Sequence, residues 1–120
     1  MNEDFVPFET AKKLKEKGFK EKCYKHYYPD SKDWFLSPSP ECGNYSSYLD
    51  APTISQVLKW LREEKNIEVV ASFSYRNKVW GYQVGDMTLL EDSILSYDYS
   101  FPTYELAALA GIEYCLDNLI

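Results

Sequence analysis

The chain has 120 residues, 45% hydrophobic and 27% charged, with a formal net charge of −6. Such a length and composition fit a single α+β domain over residues 1–120 and argue against a disordered chain. No apolar run approaches the roughly 20 residues that a membrane helix needs. The acidic start at Met1–Asp4 does not resemble a secretory signal peptide. We therefore expect a cytoplasmic protein with no membrane partner.

Acidic residues are concentrated towards the C-terminus. Residues 1–32 contain eight Lys and Arg against six Asp and Glu, whereas residues 33–120 contain five against thirteen. The acidic part would repel a phosphate backbone, which disfavours nucleic-acid binding there. We interpret it as a solvated surface. Docking of a basic partner, or mimicry of nucleic-acid charge, is the alternative.

The first predicted element is a short helix that begins at Pro7 and is capped by Gly18. Proline is favoured at the start of a helix because its φ is already helical. Phe8, Ala11 and Leu14 follow at the spacing of one helical face. Glycine readily adopts the left-handed conformation that ends many helices.

A β-hairpin is predicted next, with strands at residues 23–28 and 33–36 joined by a turn at residues 29–32. From Ser37 to Ala51 the sequence contains Ser-Pro-Ser-Pro and scattered tyrosines, which predicts an irregular loop. A loop of this length indicates either a function or an inserted segment, and the sequence leaves both readings open.

The second helix is the most clearly predicted element. Thr53 and Gln56 have the spacing of a capping box directly after Pro52. An apolar stripe follows at helical spacing, and Asn66 can end the helix. The stripe consists of Ile54, Val57, Leu58 and Leu61.

The second predicted hairpin begins with a strand from Ile67 to Tyr75. Pairing through a turn at Asn77 and Lys78 places all the large apolar side chains on one face. A slip of one residue would move half of them to the polar face. The predicted pairs are Tyr75 with Trp80, Phe73 with Tyr82 and Ala71 with Val84.

Residues 87–101 are compatible with a strand at residues 93–99 or with an ordered loop. The last helix is predicted from Thr103 to Asn118. Gly111 lies inside it, where glycine costs ~1 kcal/mol relative to alanine. We interpret that glycine as a site where another backbone approaches closely.

The predicted order of elements is therefore αββαββα. Hairpins joined in this way favour an α+β fold in which a four-stranded antiparallel sheet is covered on one face by three helices. The helical and strand periodicities also predict one apolar core. Its members are Leu58, Leu61, Val69, Phe73, Tyr82, Leu109, Ile112 and Leu116.

Two stretches of sequence carry a resemblance. They are Ala51-Pro52-Thr53 with Leu58-Lys59-Trp60-Leu61-Arg62-Glu63, and Thr103-Tyr104-Glu105-Leu106-Ala107 with Gly111-Ile112-Glu113. This pattern resembles small uncharacterised proteins of gut bacteria and of their phages or mobile elements. The chain departs from it at Leu106 and Ala107, where the pattern has Glu and then Ala. The resemblance implies a phage or mobile-element origin and transfers no catalytic residue.

Cysteine and histidine give little support for a metal site. The three cysteines are an odd set without close pairing, which favours reduced thiols over disulfides. Cys23 and His26 have the spacing of half a zinc site, but residues three apart on a strand face opposite sides. Structural zinc also takes four Cys or His ligands. We predict no metal and no cofactor.

Enzyme motifs are similarly weak. A cysteine nucleophile needs a base, and His26 is the only histidine in the sequence. Cys42, in a polar loop, is the better candidate thiol, because Cys115 lies on an apolar helical face. The sequence contains no Gly-rich phosphate loop and no G-x-S-x-G motif. We assign no catalytic residue, and a small enzyme using Cys42 is the third reading of function.

Tyrosine is unusually frequent, with eleven in the chain. A core of this size does not readily hide so many, because each buried hydroxyl needs a partner. If helices cover one face of the sheet and the first hairpin joins it in register, one set of its alternating side chains lies on the open face. That set is Tyr24, His26 and Tyr28, or else Cys23, Lys25 and Tyr27. We predict an interaction surface there that binds a protein partner or a second copy of the chain. It consists of Tyr24, His26, Tyr28, Tyr45 and Tyr48.

Nucleic-acid binding is the second reading. Tyrosine and histidine alternate near lysines within residues 20–28, a mixture that single-strand binders use for stacking and charge neutralisation. The overall negative charge disfavours it. The sequence therefore favours a non-enzymatic protein-binding or accessory protein.

Overall fold

The computed structural model describes residues 4–42, 48–88 and 94–120. No helix in these ranges is long and apolar enough to cross a membrane. The elements are α1 (Phe8–Glu16), β1 (Cys23–Tyr27), β2 (Trp34–Glu41), β3 (Leu49–Ala51), α2 (Ile54–Lys65), β4 (Ile67–Ser74), β5 (Val79–Asp86), β6 (Ile94–Phe101) and α3 (Tyr104–Asn118).

The α+β class is confirmed, but the predicted sheet is wrong. The described strands form two three-stranded antiparallel sheets, ordered β2-β1-β3 and β4-β5-β6. The order of elements is therefore αβββαβββα rather than αββαββα. The chain divides into two compact units, Met1–Ile54 and Ser55–Ile120. The single domain stays a prediction.

In the first unit, α1 ends as its sequence predicts. Gly18 has a φ of +89°, the left-handed conformation that a C-terminal cap requires. The Phe19 N–H donates to the Leu14 carbonyl over 3.0 Å, and the Phe19 side chain is buried. The helix buries Thr10, Ala11 and Leu14.

The irregular loop predicted over residues 37–51 is wrong at both of its ends, where the structure has strands of the first sheet. β2 continues to Glu41, and β3 forms at Leu49–Ala51, so strands occupy both ends of that segment. β2 is an edge strand, where proline is tolerated, and it contains Pro38 and Pro40. Its register with β1 is interrupted between Leu36 and Glu41. Residues 43–47 lie outside the described ranges.

In the second unit, the end of α2 and the start of α3 both agree with local sequence signals. Asn66 has a φ of +56° directly after α2, as expected for the residue that ends it. Thr103 caps α3, since its Oγ1 accepts a hydrogen bond from the Leu106 N–H over 3.2 Å.

The hairpin of β4 and β5 is shifted by two residues from the predicted register. The observed pairs include Phe73 with Trp80 and Ala71 with Tyr82. The turn begins earlier than expected, because the Lys78 N–H donates to the Ser74 carbonyl and Lys78 itself has a φ of +58°. A shift of two preserves the predicted face, because side chains alternate with a period of two.

The segment 87–101 contains a strand, β6, which pairs with β5. Residues 89–93 lie outside the described ranges. Helix α3 contacts all three strands of this sheet. A Cβ added at Gly111 would lie 2.7 Å from Val69 Cγ1 and 3.2 Å from the Tyr82 ring. Side chains, and not the backbone that was predicted, therefore approach this glycine.

Most of the predicted core residues are buried. Phe73 and Leu109 are the exceptions and are partly exposed. The buried members are Leu58, Leu61, Val69, Tyr82, Ile112 and Leu116.

Candidate interaction surface

The central strand of the first sheet, β1, separates two chemically different faces, because successive side chains of a strand point to opposite sides. Tyr24 and His26 lie on one side of β1, and Tyr28, the residue after the strand, contacts the same Phe35 ring as His26; we call this side the tyrosine face. The lysine face carries Cys23, Lys25 and Tyr27.

Three aromatic rings meet on the tyrosine face. The Phe35 ring centroid lies 5.3 Å from that of Tyr28 and 4.9 Å from that of Tyr48, and the two tyrosine rings are 5.6 Å apart. Their tilted and edge-on arrangements are those that aromatic pairs prefer. We call Tyr28, Phe35 and Tyr48 the aromatic cluster.

The residues predicted to form the interaction surface differ in their solvent exposure. Tyr24, Tyr28 and Tyr48 are 51%, 42% and 36% exposed. His26 is only 2% exposed, so its side chain lies beneath this surface and is not part of it. Tyr45 lies outside the described residues. The structure thus brings two of the predicted tyrosines together and leaves Tyr24 exposed on the same face.

Phe35 was missed from the sequence. It lies opposite His26 in the register of β1 and β2, and the two rings are 5.3 Å apart. The alternation of Trp34, Phe35 and Leu36 in the returning strand was the signal that could have placed Phe35 on the same face as His26.

Beneath the cluster, His26 connects three strands through buried hydrogen bonds. Its Nδ1 lies 2.9 Å from Asp50 Oδ1 on β3, and its Nε2 lies 3.2 Å from Ser37 Oγ on β2. All three side chains are buried. Buried polar groups are costly unless they are bonded, so this network specifies how the strands align. We call these three residues the strand clamp.

The strand clamp has the residue types of a Ser-His-Asp catalytic triad. In a triad the serine hydroxyl donates its proton to the histidine. Here the shortest contact of Ser37 Oγ is donation to the Ser39 carbonyl, over 2.7 Å, with a second carbonyl, that of Tyr24, at 3.2 Å. The one proton of the Ser37 hydroxyl therefore has a nearer acceptor in the Ser39 carbonyl than in His26 Nε2, which lies 3.2 Å away. This geometry is that of a serine that links strands, and it differs from that of a triad nucleophile.

Two of the cysteines, Cys23 and Cys115, also lack the environment of a catalytic thiol. None of the three forms a disulfide, and Cys23 and Cys115 are buried. Burial raises the pKa of Cys115 to about 12. Burial, and then the charge of Asp50, raise the pKa of Cys23 far above its usual range. Since the thiolate is the reactive form, neither is an activated nucleophile.

Cys42 is partly exposed, but His26 cannot serve as its base in this conformation, since both ring nitrogens are bonded within the strand clamp. Over the described part of the chain, no group of three His, Cys, Asp or Glu side chains is arranged to hold a metal ion.

Comparison with known proteins does not assign this chain to a family. No protein-family model matches it, and neither does any curated protein or solved structure. Among the described residues, the exposed tyrosines above the strand clamp form a group of neighbouring aromatic side chains.

Proposed function

We propose that this is a non-enzymatic accessory protein that binds a protein partner through the tyrosine face of its first sheet. The observation that carries the proposal is the exposed aromatic cluster, together with the exposed ring of Tyr24. Contiguous exposed aromatic surface marks interaction sites.

Rigidity supports this assignment. Tyr28 and Tyr48 contact Phe35, and Phe35 lies against the His26 ring of the strand clamp. Rings that are already held in place lose little conformational freedom on binding, so more of the contact energy is available as affinity.

Tyrosine chemistry supports it as well. Each exposed ring offers apolar area and a hydroxyl that can donate or accept a hydrogen bond. Protein interfaces are enriched in tyrosine for this reason. A partner with an apolar centre and polar rim would match the tyrosine face.

Charge weighs against a nucleic-acid ligand at this face. Single-strand binders combine stacking rings with cations that follow the phosphate backbone. Lys25, within the strand that carries Tyr24, lies on the opposite face, where its ammonium group contacts aromatic rings. The stacking rings and this cation are therefore separated by the sheet.

The test replaces the exposed tyrosines of the face with serine: Tyr24→Ser, Tyr28→Ser and Tyr48→Ser together. The matched control replaces three exposed tyrosines of the second unit. These are Tyr75, Tyr97 and Tyr104. Affinity capture from the native host with quantitative mass spectrometry measures partner binding, and sedimentation velocity measures self-association.

We expect the tyrosine-face variant to lose a partner that wild type and control retain, with an unfolding temperature close to that of wild type. Equal capture by all three proteins would contradict the proposal. A collapse in stability of the tyrosine-face variant would show that these rings are core. Loss of self-association alone would identify a second copy as the occupant.

A further inference from the structure

The lysine face of the first sheet carries a second feature, a groove of about 320 Å³. Aromatic and proline side chains form much of its lining, and two lysines lie among them. These residues are Pro7, Phe8, Lys25, Tyr27, Lys32 and Trp34. It lies on the side of β1 opposite the tyrosine face and does not depend on the function proposed for that face.

Lys25 is held in this groove by three aromatic rings. Its Nζ lies 4.6 Å from the ring centroid of Trp34, 5.0 Å from that of Tyr27 and 5.4 Å from that of Phe5. All three distances are within the range of cation–π attraction. These contacts favour a position of the ammonium group beside the three rings.

The ring beside Lys25 is itself fixed. The Tyr27 hydroxyl donates to the Val6 carbonyl over 3.2 Å, and the Tyr27 side chain is buried. The Phe8 ring packs edge-on against Tyr27 with centroids 5.5 Å apart. Because these partners come from the start of α1 and the residues before it, the groove is a built part of the first unit.

Neither groove lysine, Lys25 or Lys32, has a carboxylate partner in the part of the chain that the structure describes. Aromatic faces attract an ammonium group without accepting its three N–H hydrogens as an anion does. A lysine that contacts aromatic rings in a concave site and has no ion pair among the described residues is suited to an anionic group.

The lining favours a carboxylate over a phosphate. Glu9 also lines the groove, and its negative charge opposes a doubly charged phosphate more strongly than a singly charged carboxylate. The Trp34 side chain is 54% exposed, which leaves a broad apolar surface beside Lys25. A ligand that carries one carboxylate next to an apolar group would use both features.

We propose that this groove binds an acidic-apolar polypeptide segment, with an Asp or Glu carboxylate on Lys25 and a neighbouring apolar side chain against Trp34. The charge-assisted hydrogen bond supplies orientation, and the apolar contact supplies most of the buried area.

The probe is the blocked dipeptide N-acetyl-Asp-Phe-amide, titrated into the full chain while the indole N–H signal of Trp34 is followed by NMR. A Trp34→Phe variant assigns that signal among the three tryptophans. N-acetyl-Asn-Phe-amide has nearly the same shape without the charge, and phenyl phosphate tests the other anion. We expect the Asp probe to shift the Trp34 signal and the Asn probe to bind about tenfold more weakly.

Two substitutions test the role of the lysine. Lys25→Met keeps the apolar stem and removes the charge, so we expect about a tenfold loss of affinity for the Asp probe, whereas Lys25→Arg should retain binding. Lys59→Met, at an exposed lysine of α2, is the control and should bind as wild type does. Amide dispersion in each spectrum verifies that the variant is folded.

Equal affinity for the Asp and Asn probes, tighter binding of phenyl phosphate, or an equal effect of Lys59→Met and Lys25→Met would each overturn the proposal. So would the absence of any shift of the Trp34 signal. The variant with serines on the tyrosine face should bind the Asp probe normally, so failure at one face is distinguishable from failure at the other.

Discussion

His26 and Asp50 lie on neighbouring strands with Nδ1 and Oδ1 2.9 Å apart, and both side chains are almost completely buried. The two residues are 24 positions apart in the chain. Their hydrogen bond therefore fixes a long-range pairing that no local signal specifies. It also lies directly beneath the aromatic cluster, so the stability of the strand clamp and the shape of the tyrosine face are linked.

Removing one member of this pair should be destabilising. Asp50→Ala leaves the buried Nδ1 of His26 without its partner, and an unsatisfied buried hydrogen-bonding group costs about 1–3 kcal/mol. Urea denaturation of the variant measures the free energy of unfolding. In a double-mutant cycle with His26→Ala, the second substitution should cost much less than it does alone. A loss below about 0.5 kcal/mol in Asp50→Ala, the size typical of a surface change, would contradict the role of the strand clamp.

Gly111→Ala should destabilise the protein although alanine is the better helix former. The propensity gain of about 1 kcal/mol is opposed by a Cβ that would lie 2.7 Å from Val69 Cγ1. We expect a net loss of about 1–3 kcal/mol, the usual cost of overpacking. In a Val69→Ala background the nearest obstructing methyl group is gone and only the Tyr82 ring, at 3.2 Å, remains close, so the same substitution should cost much less. An equal loss in both backgrounds would show that this contact is not the cause.

Lys78→Gly should stabilise the second hairpin. Lys78 has a φ of +58°, which costs a residue with a Cβ roughly 1–2 kcal/mol and costs glycine nearly nothing. Part of that gain is offset by the greater freedom of glycine in the unfolded chain. We expect a net gain of about 0.5–1 kcal/mol in thermal or urea unfolding. Asn77→Gly in the same turn is the control, since Asn77 has no positive φ, and it should not stabilise the protein.

Thiol reactivity should separate the cysteines. The raised pKa values of Cys23 and Cys115 keep both protonated in the folded state near neutral pH, so Cys42 should react first with a disulfide reagent. Unfolding of the protein should then make Cys23 and Cys115 accessible to the reagent. Fast labelling of Cys115 in the folded protein would contradict its burial.

The same shift has a consequence for stability at alkaline pH. Burial raises the pKa of Cys115 from 9.0 to about 12, so the unfolded state loses its proton first. The stability that this group contributes is therefore complete below pH 9 and falls as the pH rises towards 12. Urea midpoints across this range should fall less steeply in Cys115→Ala than in wild type.

Leu61→Ala tests the apolar stripe of α2. Leu61 is fully buried, and truncation of such a leucine costs about 2–5 kcal/mol. Leu106→Ala is the control, because Leu106 is an exposed leucine of α3 and should change the unfolding free energy little. Similar losses in the two variants would show that the α2 stripe is not core.

Local signals were readable from the sequence, whereas long-range pairing was not. Gly18, Asn66 and Thr103 end or start their helices as predicted, because capping depends on a few neighbouring residues. The second hairpin kept its predicted face because strand periodicity survives a shift of two. The exact position of the turn at Lys78 could not be predicted, since lysine does not favour the left-handed backbone conformation that it adopts here.

The first sheet escaped prediction for a different reason. Pro38 and Pro40 argue against a strand, yet β2 runs through both, and β3 is only three residues long. Because His26 alternates with tyrosines in the sequence, it was predicted to lie at the surface. No residue near it in the sequence indicates that Asp50 is its buried hydrogen-bond partner. The polar network beneath the predicted site was therefore invisible, although the exposed positions of Tyr24 and Tyr28 were found.

The two prolines of β2 have one further consequence. They lie within the interruption of register between Leu36 and Glu41, on a strand at the margin of its sheet. An open sheet margin can recruit a strand from another molecule and so start fibre growth, and proline and bulges are the usual defences against it. Without N–H groups at positions 38 and 40, this margin cannot offer an unbroken row of donors. The first sheet can thus expose aromatic side chains on its face while its β2 margin resists aggregation.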